Sequence, residues 1–210
     1  MRIRLGWPVT LREPSLLVKP VVLRPYRFAD ARAWRQIRTA NAQWLRQWEM
    51  TDPASPRYPT NLRSYLAIVA AMRRDALLGR ALSWAVTFGD DLVGYMSVGS
   101  IVWGSERTGR LGGWIDERFA RHGIMTVATA MAVDHSFHHV GLHRIVASVR
   151  PENTACRQGM EKYFREEGLQ LRQSFCDGEW RDHMSYALTA EEVPPGGFVA
   201  LFRSAAVASK

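Results

Sequence analysis

Apolar residues change their spacing several times along this chain, and each change marks a different kind of secondary structure. Over residues 30–49 they recur at intervals of three and four, which predicts a helix with Asp30 at its N-cap. A second helix is predicted over 62–78. Residues 82–103 instead form two β-rich runs broken at Gly89-Asp90-Asp91, which is typical of a hairpin. The first half of the chain is therefore expected to contain two helices followed by a pair of strands.

The second half alternates between the same two patterns. Strands are predicted over 109–116 and 143–149, and helices over 125–138 and 153–164. One more strand is predicted near the start of the chain, over 21–27. A closing hairpin is predicted from "LQLRQSFC" and "WRDHMSYAL", joined by Asp177-Gly178, a dipeptide that favours a type I′ turn. The predicted order is β-α-α-β-β-β-α-β-α-β-β, which lacks the regular alternation of a doubly wound fold. We therefore expect one α/β (α+β) domain with a mixed sheet and helices on its faces.

The length of 210 residues suits one well-buried domain and is short for two. We expect an irregular N-terminal extension over 1–20, the domain itself over 21–190, and a C-terminal tail over 191–210. The tail follows a Pro-Pro-Gly-Gly break, and its sequence leaves open whether it is a short helix or disordered, and whether it mediates a homodimer. Three prolines within residues 51–61 predict a loop there.

Composition narrows the class of protein. No stretch approaches the roughly 18 consecutive apolar residues of a bilayer-spanning helix, and residues 1–20 lack the apolar run of a signal peptide. The two cysteines, Cys156 and Cys176, form neither a disulfide framework nor a metal-ligand spacing. We therefore expect a cytoplasmic protein that has no membrane partner.

The chain is strongly basic, with a formal net charge of +8 and a pI of about 10.1, which favours acidic partners such as nucleic acid, ribosomes or phosphorylated cofactors. All but three of its 28 basic residues are arginine, which codon bias in a GC-rich genome would explain equally well. The arginines are scattered, and no basic run is interleaved with aromatic residues. We therefore expect no specific binding of nucleic acid.

One segment, "ERFARHGIMTVATAMAVDHSF", contains a candidate binding site. It places Arg121, His122 and Gly123 at the start of a helix, where the positive end of the helix dipole makes basic residues unfavourable. An anion would explain them, because the first N–H groups of a helix have no intrahelical partner and Gly123 has no Cβ to block an approaching ligand. The site suits a pyrophosphate. A surface loop with one glycine is the alternative, since the spacing matches neither a P-loop nor GxGxxG.

Five segments carry a resemblance to a known family: "LRPYRFAD", "GGWIDERFARHGIMTVA", "LHRIVASVRPENTAC", "FREEGL" and "DGEWRDHMSYALTAEE". Through these segments, the chain from Val21 to Glu192 resembles the GNAT N-acetyltransferase superfamily. The resemblance is specifically to the RimJ/RimL-like branch, which acetylates the N-terminal residue of ribosomal proteins, for example an N-terminal alanine. The resemblance implies a single GNAT domain with a mixed, mostly antiparallel sheet of six to seven strands, a central splay, and helices on both faces. The segment 156–168 is one residue shorter than the family version, so its helix is expected to end differently.

The resemblance also implies acetyl-CoA as the co-substrate. The family's diphosphate loop, (Q/R)-x-x-G-x-(G/A), falls on residues 120–125, where Gly123 matches and Ala120 and Met125 do not. Arg121 or His122 is expected to replace the missing first basic residue. The strand before the loop should pair with the pantetheine arm through backbone groups, an asparagine amide should reach that arm, and a threonine should add a hydroxyl for the phosphate. The implied cofactor-binding residues are Trp114, Ile115, Asp116, Arg121, His122, Gly123, Ile124, Met125, Thr126 and Asn153.

The catalytic groups implied by the resemblance are incomplete. Where the RimL-like pattern has a serine near the thioester, this chain has Cys156, with three open roles: an S–H donor to the leaving thiolate, a nucleophile, or a small packing residue. The position of the family's glutamate base falls on Ser174, which cannot act as a base at neutral pH. The general base is therefore unassigned, and Glu49, Glu106 and Glu167 are weak candidates for a base that acts through water.

Of the remaining histidines and tryptophans, some are expected to be structural and others to line the site. The resemblance places the connection between the first two helices over an acceptor groove, where Trp48 and Glu49 would form the lip and the carboxylate would attract a cationic amine. His135 and His139 have i, i+4 spacing, but without a third ligand we expect no metal. His183 is expected to shape the sheet rather than to perform acid–base chemistry.

The leading interpretation is an acyltransferase that moves acetyl from acetyl-CoA to a protein N-terminal α-amine, of the ribosomal-protein type, by direct attack of the amine on the thioester. One alternative is a GNAT enzyme that acylates a small-molecule amine or lysine, with acetyl-CoA or another acyl-CoA such as succinyl-CoA, whose carboxylate the arginines would recognise. A second alternative is a non-catalytic CoA-binding or ribosome-associated protein, which the unassigned base would explain.

Overall fold

The computed structural model describes residues 7–55 and 60–208, and within them eight strands form one sheet. The strands are β1 (Leu11–Glu13), β2 (Val21–Arg24), β3 (Leu82–Phe88), β4 (Asp91–Val102), β5 (Thr108–Ile115), β6 (Arg144–Val149), β7 (Arg165–Cys176) and β8 (Glu179–Thr189). Their spatial order is β1-β2-β3-β4-β5-β6-β8-β7. All neighbouring pairs are antiparallel except β5 and β6, which are parallel. The mixed, mostly antiparallel sheet is confirmed, with one strand more than expected.

The helices lie on both faces of this sheet, as expected. They are α1 (Ala31–Ala40), α2 (Ala42–Arg46), α3 (Leu62–Leu77), α4 (Ile124–His135), α5 (Thr154–Met160) and α6 (Gly197–Ala208). A π-helical turn over Ser136–Val140 continues α4. The expectations for residues 1–6, for 56–59 of the proline-rich loop and for the last two residues of the tail lie outside the described residues.

Alternate residues of the strands distinguish the two faces. Leu111 of β5 and Ile145 of β6 belong to the core cluster that includes α4, and we call this side the α4 face. Trp114 of β5 packs against the cluster formed by Trp34 of α1 and Tyr65 of α3, which defines the α1–α3 face. Because successive strand residues point to opposite faces, the even-numbered residues of β5 and β6 lie on the α1–α3 face.

The N-terminal extension is not irregular throughout, because residues 11–13 form β1 and pair with β2. Glu13 at the end of β1 is only 1% exposed, and its carboxylate accepts hydrogen bonds from Arg203 of α6 and from Ser15. Burial alone would raise the pKa of Glu13, but these hydrogen bonds and the arginine charge outweigh it and lower the pKa. The partner that permits this burial is distant in sequence, so local patterning did not indicate the strand.

The tail forms a helix, α6, that packs on α4. The carboxylate of Asp134 in α4 accepts the backbone N–H groups of Phe198 (2.8 Å) and Val199 (3.0 Å) in the first turn of α6. The rings of Phe198 and Phe202 lie 5.0 and 5.5 Å from the ring of Tyr163, measured between centroids. Between the two alternatives that the sequence left open for the tail, the structure selects the helix.

The helix predicted over 30–49 is divided into α1 and α2 at Asn41, which is buried. The side-chain amide of Asn41 donates to the carbonyl of Ile37 (2.9 Å), and its Oδ1 accepts the backbone N–H of Glu117 (2.8 Å). The first bond competes with regular helix hydrogen bonding, which favours a break. The second bond ties this break to the loop that follows β5.

The helix predicted over 153–164 ends at Met160, directly after Gly159. Glycine weakens a helix interior, and Tyr163 and Phe164 are buried in the core cluster instead of continuing the helix. The closing hairpin has positive φ angles at Asp177 (52°) and Gly178 (86°), which confirms the predicted type I′ turn.

We predict that Asp134→Ala lowers the free energy of unfolding by about 1–2 kcal/mol, because the first turn of α6 loses its hydrogen-bond acceptor. Urea unfolding followed by circular dichroism measures this loss. Asp90→Ala, at the exposed tip of the β3–β4 turn, is the matched control and should have little effect. Hydrogen exchange of the α6 amides should accelerate in the Asp134 variant, and unchanged protection of α6 would contradict its role as a cap.

Candidate functional site

A gap opens in the sheet where β5 separates from β6. The two strands pair only through Thr108 with Arg144, Gly109 with Ile145 and Arg110 with Val146. Beyond this point β5 continues to pair with β4 as far as Ile115, and β6 continues to pair with β8 as far as Val149. The expected central splay is therefore present, and it opens towards the loop that precedes α4.

The register of β5 decides which of its backbone groups face the gap. The N–H of Asp116 donates to the carbonyl of Val93, the residue that continues the β4–β5 register, at 2.8 Å. In an antiparallel pair the hydrogen-bonded positions alternate, so the backbone groups of Trp114 also point to β4. Those of Gly113 and Ile115 point to the gap. The expectation that Trp114 and Asp116 offer backbone groups to a ligand is thus wrong, whereas Ile115 is correctly oriented.

The loop before α4 has the backbone geometry of an anion site. Arg121 (φ 63°) and Gly123 (φ 77°) both adopt left-handed conformations, and α4 begins directly afterwards. Alternation of such residues turns successive N–H groups towards one side, where the positive end of the helix dipole adds to them. Arg121 and His122 are exposed, and the Nδ1 of His122 lies 2.8 Å from the carbonyl oxygen of Ala120, to which it donates.

The first residues of α4 differ in what they can offer. Ile124 is buried in the core and can contribute only its backbone N–H. Met125 packs against β5, where a Cβ on Gly113 would lie 3.0 Å from the Met125 Cε and 2.6 Å from the Tyr95 carbonyl oxygen. The absence of a side chain at Gly113 therefore lets α4 start close to the gap. Thr126 is partly buried, and its carbonyl accepts the Tyr163 hydroxyl at 2.6 Å.

On the other side of the gap, Asn153 is the N-cap of α5. Its Oδ1 accepts the backbone N–H of Cys156 (3.1 Å), and its side-chain NH₂ has no hydrogen-bond partner among the described residues. The Cys156 side chain is partly buried against the core cluster. Burial raises the pKa of the Cys156 thiol to about 11, so the thiol stays protonated at neutral pH.

Glu49 lies near the gap, but its carboxylate is already bound. Both of its oxygens accept hydrogen bonds from the guanidinium of Arg38, one of them at 2.7 Å. The side chains of Arg38 and Glu49 are 3% and 17% exposed, and Arg38 lies 5.2 Å from the ring centroid of Trp114. This pair is a largely buried, bidentate ion pair that packs on β5, and both oxygens of Glu49 take part in it.

The other two carboxylates considered as bases lie at the wrong end of the strands. Glu106 is exposed and precedes β5, about 20 Å along the chain from Gly113 at the usual rise of a strand. Glu167 is bound by Arg144, the first residue of β6, and by Arg165. Both therefore lie at the end where β5 and β6 are paired, and the structure contradicts their assignment as bases at the gap.

A cluster of polar residues lies on the α1–α3 face where the gap opens. The hydroxyl of Ser148 accepts hydrogen bonds from Arg110 (2.9 Å) and Gln173 (3.2 Å), which bridges β5, β6 and β7. The guanidinium of Arg150 lies 5.5 Å from the ring centroid of Trp48. We call this set, Trp48, Arg110, Ser148, Arg150 and Gln173, the acceptor groove, after the role that the resemblance implies for this region.

Of these five residues, the sequence analysis found only Trp48, because the others converge from separate strands. Ser148 was the one with a detectable signal, as a polar residue within the apolar run "IVASV". Ser174, at the family position of the base, pairs in register with Arg181 in the β7–β8 hairpin.

The rings of His135 and His139 stack with centroids 5.2 Å apart. Within residues 7–55 and 60–208, no group of three or more His, Cys, Asp or Glu side chains is arranged to hold a metal ion. In the same part of the chain, no helix has both the length and the apolar character needed to span a bilayer.

Several known proteins are similar to this chain in sequence or in fold. The profile of the family described as "Acetyltransferase (GNAT) domain" matches residues 21–163. The solved structure "Mycobacterium smegmatis RimJ in complex with CoA-disulfide" is similar, with 39% sequence identity, a TM-score of 0.86 and coverage of 96% of each chain. The ribosomal protein uS5-alanine N-acetyltransferase of Escherichia coli K12 is 27% identical over 172 residues, or 80% of this chain and 87% of that protein. The "Probable N-acetyltransferase YjcK" of Bacillus subtilis is 36% identical over 100 residues, 47% of this chain and about half (55%) of that relative's length.

We predict that Gly113→Ala destabilises the fold by about 1–3 kcal/mol, because the new methyl group would overlap the Tyr95 carbonyl and press on Met125. The neighbouring Gly112→Ala is the matched control, since a Cβ there would lie 3.7 Å from the Ser97 hydroxyl, an ordinary contact. Its effect should stay within about 0.5 kcal/mol. Urea unfolding of both variants measures the difference, and equal midpoints and slopes would refute the close approach at Gly113.

Proposed function

Because the chain belongs to the GNAT acetyltransferase family, we propose that it transfers the acetyl group of acetyl-CoA to the N-terminal α-amine of a protein, with a ribosomal protein as the acceptor. The observation that carries this proposal is the gap between β5 and β6 beside the left-handed loop at the start of α4. The acceptor is suggested by the Escherichia coli relative, which is named for the alanine of ribosomal protein uS5. A ribosomal-protein acceptor goes with a cytoplasmic location.

The residues around the gap fit coenzyme A. The outward-facing backbone groups of Gly113 and Ile115 match the amides of a pantetheine arm as a neighbouring strand would. The N–H groups at Gly123 and the first turn of α4 suit a diphosphate, and the exposed Arg121 adds a positive charge beside them. Acetyl-CoA, when bound, supplies the acetyl group as an activated thioester, and the protein supplies position and electrostatics.

Two side chains complete this proposed cofactor site. The NH₂ of Asn153 is available as a donor on the β6 side of the gap, because the Oδ1 of the same amide is held by the cap of α5. Thr126 lies in the first turn of α4, where its hydroxyl would face the diphosphate. The proposed site therefore has hydrogen-bond donors on both sides of the gap.

The acceptor groove is proposed to receive the peptide on the α1–α3 face, opposite the side where α4 packs. Trp48 contacts Arg150, and we assign it to the wall of this groove, at the lip that the resemblance implies. Glu49 has a different role from the one expected, because Arg38 neutralises it. We assign the Arg38–Glu49 pair to the support of Trp114 and of the groove wall rather than to attraction of the amine.

Cys156 is proposed to be a packing residue. Its partial burial against the core and its raised pKa, about 11, both disfavour the thiolate that a nucleophile needs. The same raised pKa makes the thiol a weak acid, so it is also a poor proton donor to a leaving thiolate. Direct transfer to the amine, without an acyl-enzyme, is the route that these properties support.

Thiol release from acetyl-CoA tests the function. The acceptors are a peptide with a ribosomal-protein N-terminus, the same peptide with a blocked α-amine, free lysine, and a small amine, each also tried with succinyl-CoA. Turnover only with the unblocked peptide and acetyl-CoA is expected. Turnover restricted to lysine, small amines or succinyl-CoA would replace the proposal by the corresponding alternative. Heat of CoA binding without turnover would indicate a non-catalytic protein, and no heat at millimolar CoA would overturn the cofactor assignment.

We predict that Gly123→Ala weakens CoA binding about tenfold, equivalent to about 1.4 kcal/mol. Alanine is strained at a φ of 77°, and relief of that strain would turn the loop N–H groups away from the diphosphate. Gly141→Ala is the matched control, because Gly141 has a φ of 80° beyond the opposite end of the same helical segment, with nothing within 4 Å of a Cβ. Calorimetry should find weaker binding only for the Gly123 variant, and equal affinities would contradict the assignment.

A further inference from the structure

Two carboxylates near the acceptor groove are each held by an arginine. Glu49 is bound through both oxygens by Arg38. Glu152, 60% exposed at its side chain, pairs with Arg150 at 3.2 Å. A backbone hydrogen bond and the pairing with Arg150 lower the pKa of Glu152, which weakens it as a base. A proton acceptor of another kind also lies near the groove.

His183 of β8 lies on the same face as the acceptor groove. Ser148 of β6 is paired with Ser185, and directly paired residues share a face of the sheet. His183 is two residues from Ser185 and lies on that face too, one strand away from the edge of the gap. Continuing the same register places it beside Arg150. The side chain is almost completely enclosed, with 1% of the residue exposed.

The hydrogen bond of the ring fixes which nitrogen can accept a proton. The Nδ1 of His183 lies 3.1 Å from the carbonyl oxygen of Arg181. A carbonyl oxygen can only accept, so the Nδ1 must carry the hydrogen and donate it. In the neutral ring the other nitrogen, Nε2, then keeps its lone pair. The Nε2 has no hydrogen-bond partner among the described residues.

The surroundings favour the neutral ring. Burial is the largest influence and lowers the pKa of His183, because it disfavours the charged imidazolium; the hydrogen bond to the Arg181 carbonyl opposes it. Among charged neighbours, Arg150 and Arg110 also lower the pKa, and Glu152 raises it. The residue paired with His183 on β7 is the uncharged Gln170. The net shift is downwards, so His183 is neutral at pH 7.

We propose that the Nε2 of His183 is the general base that removes a proton from the α-ammonium group of the acceptor through one water molecule. The inference rests on the proposed function, because it needs an amine acceptor in the groove. It assigns to this chain the base that is absent at Ser174, and it replaces the expectation that His183 only shapes the sheet.

With His183 as the base, every proton and electron pair of the acetyl transfer is accounted for. An N–H bond of the ammonium breaks, its proton moves to the Nε2, and its electron pair stays on nitrogen. That pair forms the new C–N bond to the acetyl carbon. The C–S bond breaks with its pair on sulfur, which takes a second proton from the nitrogen. The imidazolium then returns the first proton to solvent, and the products are the amide and the free thiol.

The pH dependence of kcat/KM in the holoenzyme assay tests the base. For the wild type, kcat/KM should rise with pH only up to the pKa of His183, which lies below the ordinary value of about 6.5. His183→Asn keeps a donor for the Arg181 carbonyl but lacks the Nε2. The kcat/KM of this variant at pH 6.5 should be about 100-fold lower than that of the wild type. It should then recover as the free α-amine, with a pKa of about 8, loses its own proton at higher pH.

His143→Asn is the matched control, because His143 is exposed at the start of β6 and contacts Glu191 at 3.0 Å, far along the strand from the gap. Its profile should equal that of the wild type. A loss in His183→Asn that is the same at every pH would reduce His183 to a structural role, and no loss would overturn the proposal outright.

A second readout does not depend on turnover. Nitrogen NMR of the imidazole in the ligand-free protein should show the Nδ1–H tautomer of His183 and a pKa below 6.5. The Nε2–H tautomer, or a pKa above 7, would overturn the base assignment even if the enzyme is active. A wild type that transfers acetyl to no amine at all would instead overturn the proposed function, so the two failures are distinguishable.

Discussion

The separation of β5 from β6 after three residue pairs is the constraint on which the rest of the site depends. In a continuous sheet, the backbone groups of Gly113 and Ile115 would be bonded to the next strand, and unpaired polar groups cost free energy when they are buried. The sheet tolerates the gap because β5 remains bonded to β4 and β6 to β8 along their outer edges. A ligand that carries amides would complete the hydrogen bonding, so the feature that weakens the sheet would also allow it to bind such a ligand.

The ion-pair and hydrogen-bond partners of the polar side chains around this gap, more than their residue types, determine their chemical roles. Two acidic residues close to the groove, Glu49 and Glu152, are bound by arginines that in turn pack on tryptophan rings. They shape walls and neutralise arginine charge. An enclosed histidine with one nitrogen tied to a carbonyl has the opposite character, since its free nitrogen is uncharged and able to take up a proton. The proposed base, His183, therefore lies in a segment whose sequence pattern predicts only the interior of a strand.

The sequence was sufficient for features set by neighbouring residues and insufficient for those set across the sheet. The glycine before α4 and the Asp177-Gly178 turn were predicted because their backbone angles depend on local chemistry. The roles of Glu106 and of the Trp114 backbone were misjudged, because the end of a strand at which a residue lies, and the edge to which its N–H points, depend on the partner strand. Strand β1 was missed for the same reason, since its buried charged residue, Glu13, is stabilised by a distant arginine.

That distant pairing also governs when the fold can be completed. Glu13 and Arg203 are 190 positions apart, and the N-terminal one is translated first. Until Arg203 has emerged from the ribosome, burying the Glu13 carboxylate would leave an uncompensated charge. The apolar surface that α6 covers must wait for the same stretch of nascent chain. The burial of Glu13 therefore has to wait for a segment that is synthesised 190 residues later.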